Sequence, residues 1–256
     1  MNKSTPLPQN QETRLETLSS LSSTIVIALF ALTFIFQNFA IPSASMASTL
    51  LVGDHVLVER ATLAPSTSWA HFIPYRDVHR GEPIVFYKPV LESDGQELIL
   101  VKRVIGVPGD RIHLRRGIVY LNGVAQNEPS AAKPTIANYD PYRDDFPSIP
   151  SANVPGVTAG WSLHLPSHIQ GEDLVVPPGT FFVMGDNRTN SLDGRYWGLV
   201  PRSNLIGRPL FVYWSFKTSD DQIYKTNLAE KTSFTLHQLT HFFTETRWNR
   251  TLKTIN

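Results

Sequence analysis

The first charged residue after Glu16 is Asp54, and the gap between them holds a nearly unbroken apolar run. Residues 24–36 read TIVIALFALTFIF, Phe39, Ala40 and Ile41 extend the run, and a Ser/Thr-rich lead begins at Leu18. About 20 residues of this kind can cross a bilayer as a helix, which satisfies its own backbone in hydrocarbon. A retained anchor and a cleaved secretion signal both carry such a run. Its length, and acidic Glu12 and Glu16 ahead of it, favour the anchor. Residues 1–16 are therefore expected as an N-terminal tail and residues 17–41 as a transmembrane segment.

Past residue 48 the pattern shortens to strand-sized pieces. Leu50-Leu51-Val52 and Val56-Leu57-Val58 flank Gly53-Asp54, which reads as a hairpin. Ile84-Val85-Phe86-Tyr87 lies between Pro83 and Pro89, and residues 98–107 (LILVKRVIGV) form a longer run closed by Pro108-Gly109-Asp110. Ile118-Val119-Tyr120-Leu121 meets a tight Asn122-Gly123 turn. Strand signals return at 174–176, 181–184 and 210–214. Between them, six prolines from Pro129 to Pro155 mark a surface insertion with little regular structure. The expected fold is mainly β: an N-terminal transmembrane helix followed by an antiparallel β core with a smaller inserted β/loop region. The core is expected in two parts, 42–124 and 173–216, around an insertion at 125–172. Residues 217–256 form a tail, with Leu236, Leu239, Phe242, Phe243 and Trp248 at roughly helical spacing. Such a helix suits either packing on the domain or a membrane surface.

Charge narrows the partners. The net charge is +1, from 23 basic and 22 acidic residues, so no basic field points to nucleic acid. There is no cysteine, which excludes thiol nucleophiles, thiolate zinc sites and disulfides. No feature sets an oligomeric state.

Three segments carry candidate chemistry. Pro42-Ser43-Ala44-Ser45-Met46 begins where the apolar run ends. Two hydroxyls two positions apart can serve one site, one attacking and one binding an oxyanion, although a Ser-rich stretch after a span also suits a plain linker. Lys102 sits with Arg103 in the apolar 98–107 run. Strand alternation puts Leu100, Lys102 and Val104 on one face and Val101, Arg103 and Ile105 on the other, so one cation is expected to point inward. A buried lysine loses its charge more readily and can act as a general base, whereas an edge lysine would snorkel to water. The third segment, Gly185-Asp186-Asn187-Arg188 with Ser191, Asp193 and Arg195, reads either as a polar turn or as a loop that orients a base.

Together, and in this order, the segments resemble bacterial type I signal peptidases. The match also takes in Thr49-Leu50, Gly53-Asp54, the run from Arg103 to Gly106 with Pro108-Gly109-Asp110, and residues 196–201 (YWGLVP). The resemblance implies a membrane-bound serine endopeptidase that removes signal peptides from secreted preproteins without metal or cofactor. Ser45 would be the nucleophile and Lys102 the general base. The Ser45 amide and Ser43 hydroxyl would form the oxyanion hole. Ser191 would hold the Lys102 amine, and the Asp193–Arg195 pair would brace that loop. Phe39, Ile41, Leu50, Leu100 and Val101 would line pockets for small residues at −1 and −3. The implied setting is the bacterial cytoplasmic (inner) membrane, crossed once, with the N-terminus cytoplasmic, the catalytic domain extracytoplasmic, and preproteins and the lipid bilayer as partners. Ala44 stands where glycine is common, and Gly194 where serine is often found, which would loosen that turn.

Overall fold

The computed structural model describes residues 14–64, 74–92, 94–148, 154–219, 222, 225 and 227–255. The expected N-terminal tail lies outside the described residues up to position 13.

The apolar run folds as α1 (Arg14–Phe30) with a π-helical continuation, Ala31–Ile35. Leu15–Ile35 spans 21 residues, and its most apolar window has no part buried against the rest of the protein. At 1.5 Å per residue that is about 30 Å, the thickness of a bilayer's hydrocarbon core. The helix stops short of the expected end. Phe36–Ala40 is instead the strand β1, antiparallel to β2 (Asp54–Glu59), with Phe36 opposite Glu59 and Ala40 opposite His55. The hairpin expected between 50–52 and 56–58 does not form. The backbone of the earlier segment closes local turns: Leu50 N–H donates to Met46 O, Asp54 N–H donates to Leu51 O, and Leu51 N–H donates to the Asp54 carboxylate. β2 takes its partner from the other side of the loop, and residues 41–53 are left free to present side chains.

The remaining strands are β3 (Pro83–Tyr87), β4 (Ile99–Gly106), β5 (Arg111–Arg115), β6 (Ile118–Leu121), β7 (Val124–Ala125), β8 (Ile169–Gln170), β9 (Asp173–Val175), β10 (Thr180–Met184), β11 (Val200–Pro201), β12 (Leu205–Ser215) and β13 (Lys253–Thr254). The large sheet runs β1-β2-β12-β3-β4-β10-β11, with β13 beside β12, and every pairing in it is antiparallel. A smaller sheet, β7-β6-β5-β9-β8, takes strands from both sides of the Pro-rich segment. β4 and β5 are separated only by the Val107–Asp110 turn, so the chain leaves one sheet and enters the other almost directly. Short helices α2 (Pro141–Asp144), α3 (Ala159–His164) and α4 (Gly194–Trp197) lie along the insertion and the loop after β10.

Both faces of the large sheet are covered. Ile41, Met46, Leu50, Val56, Val58, Val85 and Val212 pack on one side, and Ile84, Phe86, Val104, Val183 and Trp197 on the other. A strand buried on both faces reads as a continuous apolar run rather than an alternating one, which is the pattern of β3 and of 98–107. It also explains why both Lys102 and Arg103 are buried, at 3% and 6% exposure, where one inward cation was expected. In the tail, α5 (Leu228–Thr240) and α6 (Phe242–Glu245) divide the expected helix in two.

Candidate active site

The β1–β2 loop delivers the serines. After Ser43, in extended backbone, the chain turns into one short 3-10 helix, Ala44–Met46. This places the Ser43 and Ser45 hydroxyls 3.3 Å apart. Across from them β4 carries Lys102, whose Nζ lies 2.6 Å from Ser45 Oγ. The two residues are 57 positions apart in sequence, so the contact is a product of the fold. Burial is the main influence on the amine and lowers its pKa from 10.5 to about 8, with Arg195 pushing the same way and Asp193 and Asp186 pushing back. Near neutrality a useful fraction is then neutral, with a lone pair to accept the serine proton.

The loop after β10 holds both partners in place. Gly185 can lie against the serine turn because it has no side chain: a Cβ there would come within 2.5 Å of Ser45 O and 2.3 Å of Ser191 Oγ. Asn187 N–H donates to Ser45 O at 3.0 Å. Asp193 and Arg195 form the expected pair, fully buried, through two bonds of 2.8 Å. Asp193 also accepts from Gly185 N–H at 3.0 Å, so the pair braces the loop under the serine. Burial alone would raise the Asp193 carboxyl, but the Arg195 guanidinium holds it below the ordinary carboxylate range. Gly194 does not loosen this turn. A Cβ would sit 2.8 Å from Val183 O and 2.9 Å from the Phe182 ring, so only glycine fits without displacement.

Other expected residues divide. Phe39, Ile41, Leu100 and Val101 line a shallow cavity of about 190 Å³ that also contains Ser43, Ser45 and Lys102. Leu50 does not reach it; the side chain is completely buried in the core beneath. Ser191 Oγ is buried and makes no hydrogen bond, so its expected bond to the Lys102 amine is not formed.

Sequence reasoning did not assign the second ion pair. Arg103 Nε and Nη2 each donate to the Asp186 carboxylate at 2.7 Å, and Nη2 reaches Thr49 Oγ1 at 3.1 Å. Lys102 and Arg103 therefore work on opposite faces of one strand: the first meets the serine, and the second ties β4 to the same two loops that hold it. The signal was the polar neighbour of an inward lysine in a strand covered on both faces. Glu128, past β7, similarly pairs with buried Arg188 at 2.6 Å.

A β scaffold that buries a lysine amine against a serine hydroxyl, behind an apolar helix of bilayer length, defines a membrane-tethered serine hydrolase. Residues 14–214 match the family model described as "Signal peptidase, peptidase S26". Signal peptidase I of Aquifex aeolicus is 33% identical over 222 residues, 75% of this chain and 81% of the relative. That of Leptolyngbya laminosa is 31% identical over 210 residues, 81% of this chain and 83% of its own length. A solved signal peptidase I from Enterococcus faecalis aligns at 30% identity over 52% of this chain and 97% of its own, with a TM-score of 0.33. The chain belongs to the signal peptidase, peptidase S26 family.

Proposed function

We propose that this protein removes N-terminal signal peptides from preproteins as a membrane-bound serine endopeptidase, with Ser45 as nucleophile and Lys102 as general base. The observation that carries the reading is the 2.6 Å contact between Lys102 Nζ and Ser45 Oγ, made by an amine that burial has lowered to about 8. An extended preprotein segment lies along the groove beside β1 and β4. Small side chains at −1 and −3 fit the shallow cavity, and larger ones are excluded. Ser45 Oγ bonds to the scissile carbonyl carbon as its proton passes to Lys102. The oxyanion is held by the Ser45 N–H and the Ser43 hydroxyl. The lysine then returns the proton to the leaving amine, and the same amine activates the water that releases the acyl-enzyme. Ser191 makes no hydrogen bond to the base in the resting geometry.

The apolar helix supports a membrane setting, and the arrangement we propose is a single pass through the bacterial cytoplasmic membrane with the N-terminus inside and the catalytic domain outside. The test is processing of a preprotein by purified full-length protein. Ser45→Ala and Lys102→Met should each lose at least about 10³-fold in kcat while keeping the wild-type fold by circular dichroism. Substantial turnover by either variant would remove that residue from its role, and no cleavage by the wild-type protein would leave the β domain as a non-catalytic module.

A further inference from the structure

Asn187 touches the serine turn twice. Its backbone N–H donates to Ser45 O at 3.0 Å, and its side-chain Nδ2 donates to Ala44 O at 3.1 Å. The carboxamide is itself oriented, because Thr189 Oγ1 donates to Asn187 Oδ1 at 3.4 Å, and the backbone that carries it is turned by Asn190 N–H donating to the Asn187 backbone carbonyl at 3.0 Å. Such an approach is possible only beside Gly185, where any Cβ would strike Ser45 O.

Ala44 O and Ser45 N belong to one peptide unit. That unit is planar and trans, so its C=O and N–H point in opposite directions. A donor fixed on the oxygen therefore sets where the Ser45 N–H points. Donation into the carbonyl also polarises the amide and makes its N–H a better donor. The same oxygen accepts the Ala47 N–H at 3.0 Å, which closes the 3-10 turn, so the plane is held from two sides. The N–H itself lies in the first turn of that short helix, where backbone donors have no partner inside the helix. We propose that Asn187 is a positioning residue for the oxyanion hole: its side-chain amide aims and polarises the Ser45 N–H toward the oxygen of the tetrahedral intermediate. The proposal rests on the reading of Ser45 as nucleophile.

A loop tether and an oxyanion positioner differ in what they change. Losing a tether alters stability, and substrate affinity with it. Losing a positioner alters only the state in which negative charge has developed. The experiment uses the full-length protein in detergent and a synthetic preprotein peptide with alanine at −1 and −3. Two variants are compared with wild type: Asn187→Ala, and Asn187→Asp, which keeps the shape but cannot donate when ionised. Both should lose about 10- to 100-fold in kcat, less than the 10²–10³ that follows removal of an oxyanion donor itself. KM should stay within about twofold, since the ground-state carbonyl does not use the aim of that amide. Affinity for a peptide aldehyde, whose hemiacetal oxygen would occupy the hole, should fall by the same factor as kcat. The acidic limb of the pH–rate profile, set by Lys102, should not move.

A kcat within twofold of wild type in folded Asn187→Asp would overturn the proposal. So would a loss shared equally by the aldehyde and a non-reactive ground-state peptide. Ser45→Ala is assayed alongside. If it still cleaves, the nucleophile assignment fails and this proposal falls with it; if it is inactive while Asn187→Asp is not impaired, only the role of Asn187 is wrong.

Discussion

At the scale of single residues, the site is a balance between burial and charge, and Lys102 shows the balance most directly. Its folded pKa, about 8, lies below the 10.5 of an exposed lysine. Cleavage should therefore rise with pH through about 8 as the amine loses its proton. A kcat profile flat between pH 6 and 9 would show that another group sets the limb. The same shift has a stability consequence with a definite sign. Between about pH 8 and 10.5 the unfolded chain binds a proton that the folded chain does not, so stability grows as pH rises through that window. Below it the burial penalty is fully present, at roughly 3 kcal/mol as an upper figure. Lys102→Met should thus inactivate the protein and yet raise its Tm at pH 7, with the gain shrinking by pH 10; a Tm equal to or below wild type at pH 7 would argue that the Ser45 contact outweighs the penalty. Gly194 is the opposite case, where nothing can be added. With 2.8 Å between the position of a new Cβ and Val183 O, Gly194→Ala should cost about 1–3 kcal/mol, read as a lower midpoint in urea.

At the scale of elements, the tail is the part whose role the structure supplies. Arg250 Nε donates to the Asp54 carboxylate at 3.0 Å and Nη2 donates to Thr49 O at 3.0 Å, while β13 adds to β12. Asp54 is wholly buried and caps the turn at Leu51, so the C-terminus buttresses the loop that carries Ser45. Arg250→Ala leaves that carboxylate with Ser215 Oγ at 2.6 Å and Arg247 at 3.8 Å. It should cost about 1–3 kcal/mol, less than a fully buried pair because Arg250 is partly exposed. If thermal melts show no loss, Arg247 compensates fully. The tail was legible only as apolar spacing, because its anchoring partner lies 196 residues away. Elements set by local pattern were plain: the 21-residue apolar helix, β3 and β10 as apolar runs between Pro or Gly stops, and β4 as an apolar run interrupted only by Lys102 and Arg103. β1 was hidden because hydropathy does not separate a bilayer from the edge of a sheet. Leu50-Leu51-Val52 misled because its backbone is spent on turns, and its apolar side chains fill the core rather than a strand face. Of the site, the two serines, the lysine and the bracing pair were readable from motif order. The Arg103–Asp186 pair and the double contact of Asn187 were not, since each depends on which loops the sheet brings together.

At the scale of the whole molecule, the helix and the site are linked by a short tether. Ile35 ends the apolar rod and Ser45 follows ten residues later, five of them in β1. Ten residues reach at most about 35 Å when extended, so the nucleophile stays within that radius of the end of the span. A preprotein still held by its own apolar segment presents its cleavage site in the same thin layer. Holding both partners there replaces a three-dimensional search by a local one, with effective concentrations that can reach the millimolar range. The helix adds nothing to the fold of the β domain, because none of its apolar window packs on it. β1, by contrast, is paired along its whole length to β2, and the groove is built on it. Deleting residues 1–35 should therefore leave a folded domain that cleaves a short soluble peptide with kcat/KM within about threefold of the full chain. Processing of a preprotein embedded in lipid vesicles should fall by about 10²-fold or more. Equal losses on both substrates would mean that the helix supports the site itself. No loss on either would mean that the β domain finds the membrane without it. Extending the deletion through residue 40 removes β1 and with it one wall of the groove, and should abolish cleavage of both substrates; the contrast between the two truncations separates the anchor from the site it carries.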